Sequence, residues 1–123
     1  MSSYTDNLTP GLVAAAVDKL YFKGSNNVVI KDGLNHSICD FMTSNVSNLS
    51  DFIPTPSGLA PISNSISNGV YYALVNKFVS TTSPFGTRMV PNLIYAIGCK
   101  EAAIKFVDPM VGGVANEIED VYA

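Results

Sequence analysis

The 123 residues make one domain's worth of chain, enough to bury about two-thirds of the surface that the unfolded chain exposes. Hydrophobic residues make up 47% and charged residues only 14%, well below the ~25% usual in soluble domains. The net charge of −3 comes from Glu117, Glu119 and Asp120, and the rest of the chain is balanced with no basic patch or Arg cluster, which argues against a nucleic-acid partner held through phosphates.

Met1 to Asp6 is polar and lacks the charged-then-apolar order of a secretory signal. Ser2 denies the position a myristoylated glycine, and no run of 18 apolar residues is found. The first predicted helix spans 10–22. Thr9 is its expected N-cap and Pro10 its first residue. Leu12, Val13, Ala16, Val17 and Leu20 form an apolar stripe, and Lys23-Gly24 supplies the stop. Val28-Val29-Ile30 reads as a short strand or as the apolar lip of a second helix, predicted over 32–42 with Asp32 as cap and Leu34, Ile38, Phe41 and Met42 at helical spacing.

Ser, Thr, Asn and Pro dominate the connector at 43–60, although Val46, Leu49 and Phe52 step regularly by three. Pro61 opens the third predicted helix, 61–79, striped by Val70, Tyr71, Leu74, Val75 and Phe78. The fourth, 90–107, is apolar around most of its circumference, with a charged strip of Glu101 and Lys105 as a favourable i, i+4 pair. Asp108-Pro109 is expected to end it, Gly112-Gly113 reads as a hinge, and 108–123 is an acidic tail.

The chain also matches itself. Gly11, Ala15, Val17 and Lys19 recur as Gly69, Ala73, Val75 and Lys77, with Asp18 and Leu20 answered by Asn76 and Phe78. Further on, Asp32, Leu34 and Cys39 align with Asn92, Ile94 and Cys99 at a spacing two residues longer. The reading is a single domain of mainly α class. A duplicated helical hairpin, 10–42 and 61–107, packs as a four-helix arrangement around a Ser/Asn/Pro-rich connector.

Little chemistry is expected. His36, Cys39 and Asp40 lie within about one helical turn. Two ligands do not make a metal site, and a buried cysteine beside a solvated histidine explains them better. Cys39 and Cys99 hold matching places in the repeat, so a disulfide is geometrically open to them. Two small buried residues of reducing cytoplasm is the favoured alternative. No catalytic residue, metal, cofactor or small-molecule substrate is expected. Aromatics commonly anchor interfaces, which nominates Tyr71, Tyr72, Phe78 and Phe85 for contact with partner chains. Phe85, between Pro84 and Gly86, is the best of these unless it folds back onto its own hairpin.

The Ser/Asn-rich spacer, the low charge, the absent Trp, the short helix Gly11-Leu-Val-Ala-Ala-Ala-Val17 and the turn Pro109-Met-Val-Gly-Gly113 together resemble the small minor structural proteins in virions of large icosahedral double-stranded DNA viruses. The resemblance implies a minor capsid component that packs between other subunits and resides in the virion. Two other readings stand beside it. One is a small cytosolic adaptor binding through its acidic tail. The other is a membrane-associated pair of helical hairpins, limited to surface contact by Asp18-Lys19 and Asn76-Lys77.

Overall fold

A computed structural model describes residues 3–45, 56–79 and 82–110. Four helices carry the fold: α1 (Ser3–Leu20), α2 (Asn26–Asn45), α3 (Ser63–Phe78) and α4 (Met89–Ala102). A 3₁₀ segment, Ser57–Ile62, leads into α3, and a π-helical turn, Ala103–Val107, extends α4. α1 packs chiefly on α2 and α3 chiefly on α4, while α2 meets α3 and α1 meets α4. Two hairpins therefore close into a four-helix arrangement. Phe22, just past α1, stacks edge-on against Phe85, just before α4, with ring centroids 5.3 Å apart. That contact puts both hairpin tips at one end of the bundle, so α1 and α3, diagonal to each other, run in the same direction.

Several element ends differ from the local signals. α1 begins at Ser3, seven residues before the expected start, so Thr9 is no cap and Pro10 lies inside the helix. Proline removes one helical hydrogen bond. Thr9 and Pro10 are both buried against the bundle, and tertiary packing of that kind outweighs a local stop. α2 begins at Asn26, so Val28-Val29-Ile30 is helical and Asp32 sits a turn and a half inside rather than at the cap. The helical path continues through Met110, so Asp108-Pro109 does not end it. The widened π turn just before Pro109 gives its ring room. The stop after α1 does fall at Lys23-Gly24. Lys23 takes the left-handed φ of 57°, and the Gly24 N–H donates to the Asp18 carbonyl at 3.0 Å. Val46, Leu49 and Phe52 of the connector, together with 111–123 of the tail, lie outside the described residues.

The duplication is visible in which residues turn inward. Gly11, Ala14 and Asp18 are buried on α1, and their counterparts Gly69, Tyr72 and Asn76 are buried on α3. Asp32, His36 and Cys39 on α2 match buried Asn92, Ala96 and Cys99 on α4. Outward positions repeat as well: Lys19 and Leu20 answer Lys77 and Phe78, and Leu34 and Ile38 answer Ile94 and Gly98.

The inward face is not the apolar stripe. Leu12 and Leu20 of α1 and Leu74 and Phe78 of α3 are exposed, whereas Asp18 and Asn76 are buried. Close approach explains the reversal. A Cβ on Gly11 would stand 2.0 Å from Ser37 Oγ and 2.4 Å from the Gly33 carbonyl oxygen, and one on Gly69 would stand 2.8 Å from Ile97 Cγ1. Helices that touch at glycine leave no room between them for Leu or Ile, so bulky aliphatic side chains splay outward. Among the described residues the buried apolar side chains outside glycine and proline are Ala, Cys and Tyr alone.

Candidate functional site

The most chemically dense region is the centre of the bundle, where each hairpin supplies what the other needs. α1 and α2 bring Asp18, Asp32, His36 and Asp40, all 2% exposed or less. α3 and α4 answer with hydroxyls and an ammonium. Tyr72 donates its O–H to Asp32 Oδ1. The Tyr95 hydroxyl lies 2.9 Å from Asp18 Oδ1 and 2.9 Å from the Ala14 carbonyl oxygen. Lys100 donates to Asp40 Oδ1 as a buried ion pair. The His36 ring lies 3.8 Å from that of Tyr72 and 5.2 Å, edge-on, from that of Tyr95.

Burial sets the protonation of these groups. It lifts the Asp32 carboxyl from its ordinary 3.8 to about 8, helped by a hydrogen bond with Asp18 and opposed by the Tyr72 hydroxyl. Asp32 therefore keeps its proton at neutral pH. Burial lowers His36 from 6.5 to about 3, so the imidazole is neutral. Neither of its ring nitrogens has a hydrogen-bond partner among the described residues, nor does either polar atom of the buried Asn68 amide. Burial, then the Asp40 charge, pushes the Cys39 thiol up to about 12, and burial pushes Cys99 to about 12. Thiols held so firmly protonated are weak nucleophiles. Tyr72 and Tyr95 are raised too, first by burial.

The second hairpin uses the matching positions differently. Asn92, counterpart of Asp32, donates its amide N–H to the carbonyls of Gly86 at 3.0 Å and Arg88 at 2.7 Å, and accepts from Ser83 Oγ. It therefore ties the turn before α4, in which Gly86 takes a φ of 67°. Asn76, counterpart of Asp18, reaches the Tyr72 carbonyl at 3.4 Å.

Sequence candidates and structure part company at several residues. His36 is fully buried, not solvated. Its stacking on Tyr72 is a contact between hairpins, which local spacing does not report. Cys39 and Cys99 are both buried free thiols, not a disulfide. No three His, Cys, Asp or Glu side chains among the described residues are placed to hold a metal ion. Tyr72 is fully buried and closed to partner chains as the bundle stands, because it fills the space opposite Asp32. Tyr71 is half-buried, with its hydroxyl 3.2 Å from Met42 Sδ. Phe85 folds back onto its own bundle, 5.3 Å from Phe22 and 5.7 Å from Tyr95. Phe78 alone of the four stands in the open, 75% exposed, beneath the Lys77 ammonium. The i, i+4 pair of Glu101 and Lys105 forms at 3.7 Å. Reading the chain locally misses Asp18, Asp32, Tyr95 and Lys100. The signal for the first two lies in the repeat, where Asp18/Asn76 and Asp32/Asn92 are polar pairs inside otherwise apolar matches.

Two shallow apolar grooves mark the outer surface. One, of about 240 Å³, runs between α1 and α4 past Val13, Val17, Ile94 and Cys99. The other, of about 210 Å³, runs between α1 and α2 past Leu8, Leu12, Ile30 and Leu34. No helix among the described residues is long and apolar enough to cross a membrane. No known protein family, characterised protein or solved structure matches the chain.

Proposed function

We propose that this chain is a structural assembly protein, a minor virion component that packs between other subunits and carries no catalytic centre. One observation carries the reading: large aliphatic side chains stand outside the bundle, while its interior mixes small and aromatic residues with buried polar ones. Leu12, Ile30, Leu34, Ile38, Ile94 and Phe106 are each more than half exposed, on three of the four helices, while carboxylates and amides lie in the middle. A chain surrounded only by water gains nothing from that arrangement, because burial of apolar surface is the main favourable contribution to folding. Neighbouring subunits would supply the missing burial. The low charge fraction and the resemblance to minor virion proteins support the same reading.

The test is size-exclusion chromatography of the purified chain across a range of concentrations, with and without detergent. Assembly that grows with concentration supports the proposal. Leu34→Gln with Ile94→Gln, at matching outward positions of the repeat, should then reduce assembly and leave helicity intact. A clean monomer at all concentrations would favour the adaptor reading, and dispersal only in detergent the membrane-associated one.

A further inference from the structure

The fold gathers at one end what the sequence scatters. Lys19, Lys23, Lys31, Lys77 and Arg88 are far apart along the chain, yet each belongs to a hairpin tip or the first turns beside one, and all are exposed. The Phe22–Phe85 contact places the two tips side by side. Five of the chain's seven basic residues thus share one end of the bundle, which corrects the expectation that the chain has no basic patch. The described acidic side chains of that half, Asp18 and Asp32, are buried. The ion pairs Lys100–Asp40 and Lys105–Glu101 belong to the other end. Each tip also carries apolar side chains held into solvent: Leu20 and Tyr21 on the first, Phe78 and Val79 on the second, all at least 75% exposed.

We infer that this basic, apolar-tipped end docks on an anionic lipid bilayer, the two tips entering the interfacial layer while the lysines meet the headgroups. The inference goes beyond the assembly reading and does not depend on it. Charge complementarity selects an anionic surface, at which clustered Lys and Arg each strengthen binding. Residue type selects lipid over protein. Four of the five cations are lysine, a residue depleted from protein interfaces, where arginine is preferred. Long lysine stems can lie along apolar surface while the ammonium stays among headgroups, and tyrosine favours that same layer. Two small protrusions collared by lysine fit a shallow, deformable layer better than a shaped protein pocket.

The chain has no Trp, so two separate variants, Phe78→Trp at the tip and Phe106→Trp at the far end of α4, give single fluorescent reporters at opposite ends. With vesicles of phosphatidylcholine and phosphatidylserine, the full chain should co-sediment. The emission of the tip reporter should shift to the blue, while that of the far-end reporter stays put. Binding should fall in high salt and be weak on phosphatidylcholine alone. Lys23→Glu with Lys77→Glu, both exposed, should weaken it about tenfold or more, with an unchanged circular dichroism spectrum. Equal binding to neutral vesicles, a shift of the far-end reporter in place of the tip reporter, or no binding at all would overturn the inference. So would tip substitutions that dissolve a lipid-free oligomer without affecting vesicles, since the tips would then meet a second copy. Failure here leaves the concentration-dependent assembly of the previous test untouched, so the two proposals fail separately.

Discussion

The two hairpins share a backbone plan and divide the chemistry unequally. The first is acidic at its inward positions: Asp18, Asp32 and Asp40, with His36 among them. The second holds Asn76 and Asn92 where the first has carboxyls, and places Tyr72, Tyr95 and Lys100 to meet those carboxyls. Asp40 and Lys100 are themselves counterparts at the spacing of the second helices, so one position of the repeat has become an ion pair between copies. The carboxyls of the first hairpin take partners from the second, whereas Asn76 and Asn92 bond within their own hairpin. Copies that stayed identical would face carboxylate with carboxylate at the Asp40 position, and would set Ala14 and Asn35 where Tyr72 and Tyr95 now meet Asp32 and Asp18. Divergence at these inward positions makes a hydrogen-bonded seam, and the seam fixes how the hairpins meet.

The largest effect should come from breaking the seam at the Lys100–Asp40 ion pair. Lys100→Met leaves Asp40, 2% exposed, without its counter-charge. Removing one partner of a buried pair typically costs about 3–5 kcal/mol. Replacing both, by Lys100→Met with Asp40→Leu, should recover most of that loss, because the desolvation of two charges disappears with their attraction. Urea unfolding of the single and double variants measures both. A double variant no more stable than the single would mean that the pair is not what Asp40 depends on.

The glycines test whether the hairpins are equally close-packed. Gly11→Ala drives a Cβ into the Gly33 carbonyl, which is backbone and cannot rotate away. About 3 kcal/mol of destabilisation is expected, at the upper end for overpacking. Gly69→Ala meets chiefly the Ile97 side chain, and the Leu93 carbonyl oxygen at 3.1 Å. Alanine is favoured over glycine in a helix by about 1 kcal/mol, so the net loss there should be under about 1 kcal/mol. Urea unfolding of both variants checks the difference, and equal losses at the two sites would mean that both hairpins are equally tight.

Much of the architecture is legible in the chain, and the interior is not. Helical periodicity locates all four helices, and the recurrence of Gly11 as Gly69 and of Cys39 as Cys99 locates the repeat, because backbone geometry and residue size leave periodic marks. Assigning the inward face requires an assumption about the solvent. Apolar stripes are expected to turn in, yet Leu12, Leu20, Leu74 and Phe78 turn out. Contacts between hairpins, such as Tyr95 with Asp18 across 77 residues of chain, have no local signature at all. The helix starts at Ser3 and Asn26 escape local reading for a related reason, since the expected caps Thr9 and Asp32 are buried inside the helices, Asp32 against Tyr72 of α3. A polar residue in a predicted helix signals a cap only when nothing further away in the chain satisfies it.

The subtlest test of the contrast is pH, since the titrating groups with displaced carboxyl and imidazole values belong to the first hairpin. In the folded bundle Asp32 holds its proton up to about pH 8 and His36 stays neutral down to about pH 3. Unfolded, they titrate at their ordinary 3.8 and 6.5. Between those two values the unfolded chain has lost the Asp32 proton and gained one on His36, so folded and unfolded states bind equal numbers and stability is flat. Above pH 6.5 the unfolded chain holds neither proton while the folded one keeps that of Asp32, so stability falls as pH rises to about 8. The slope is about 1.4 kcal/mol per pH unit, or about 2 kcal/mol in all. Below 3.8 the unfolded chain holds two protons against one, and stability falls again toward pH 3. Asp32→Asn, which copies the neutral Asn92 of the second hairpin, should abolish the alkaline decline and let the acid one begin already below 6.5, since nothing then offsets the His36 proton. His36→Gln should abolish the acid decline and let the alkaline one begin already above 3.8. Urea midpoints across this range measure both limbs, and an alkaline decline that survives Asp32→Asn would place the titrating proton elsewhere in the bundle.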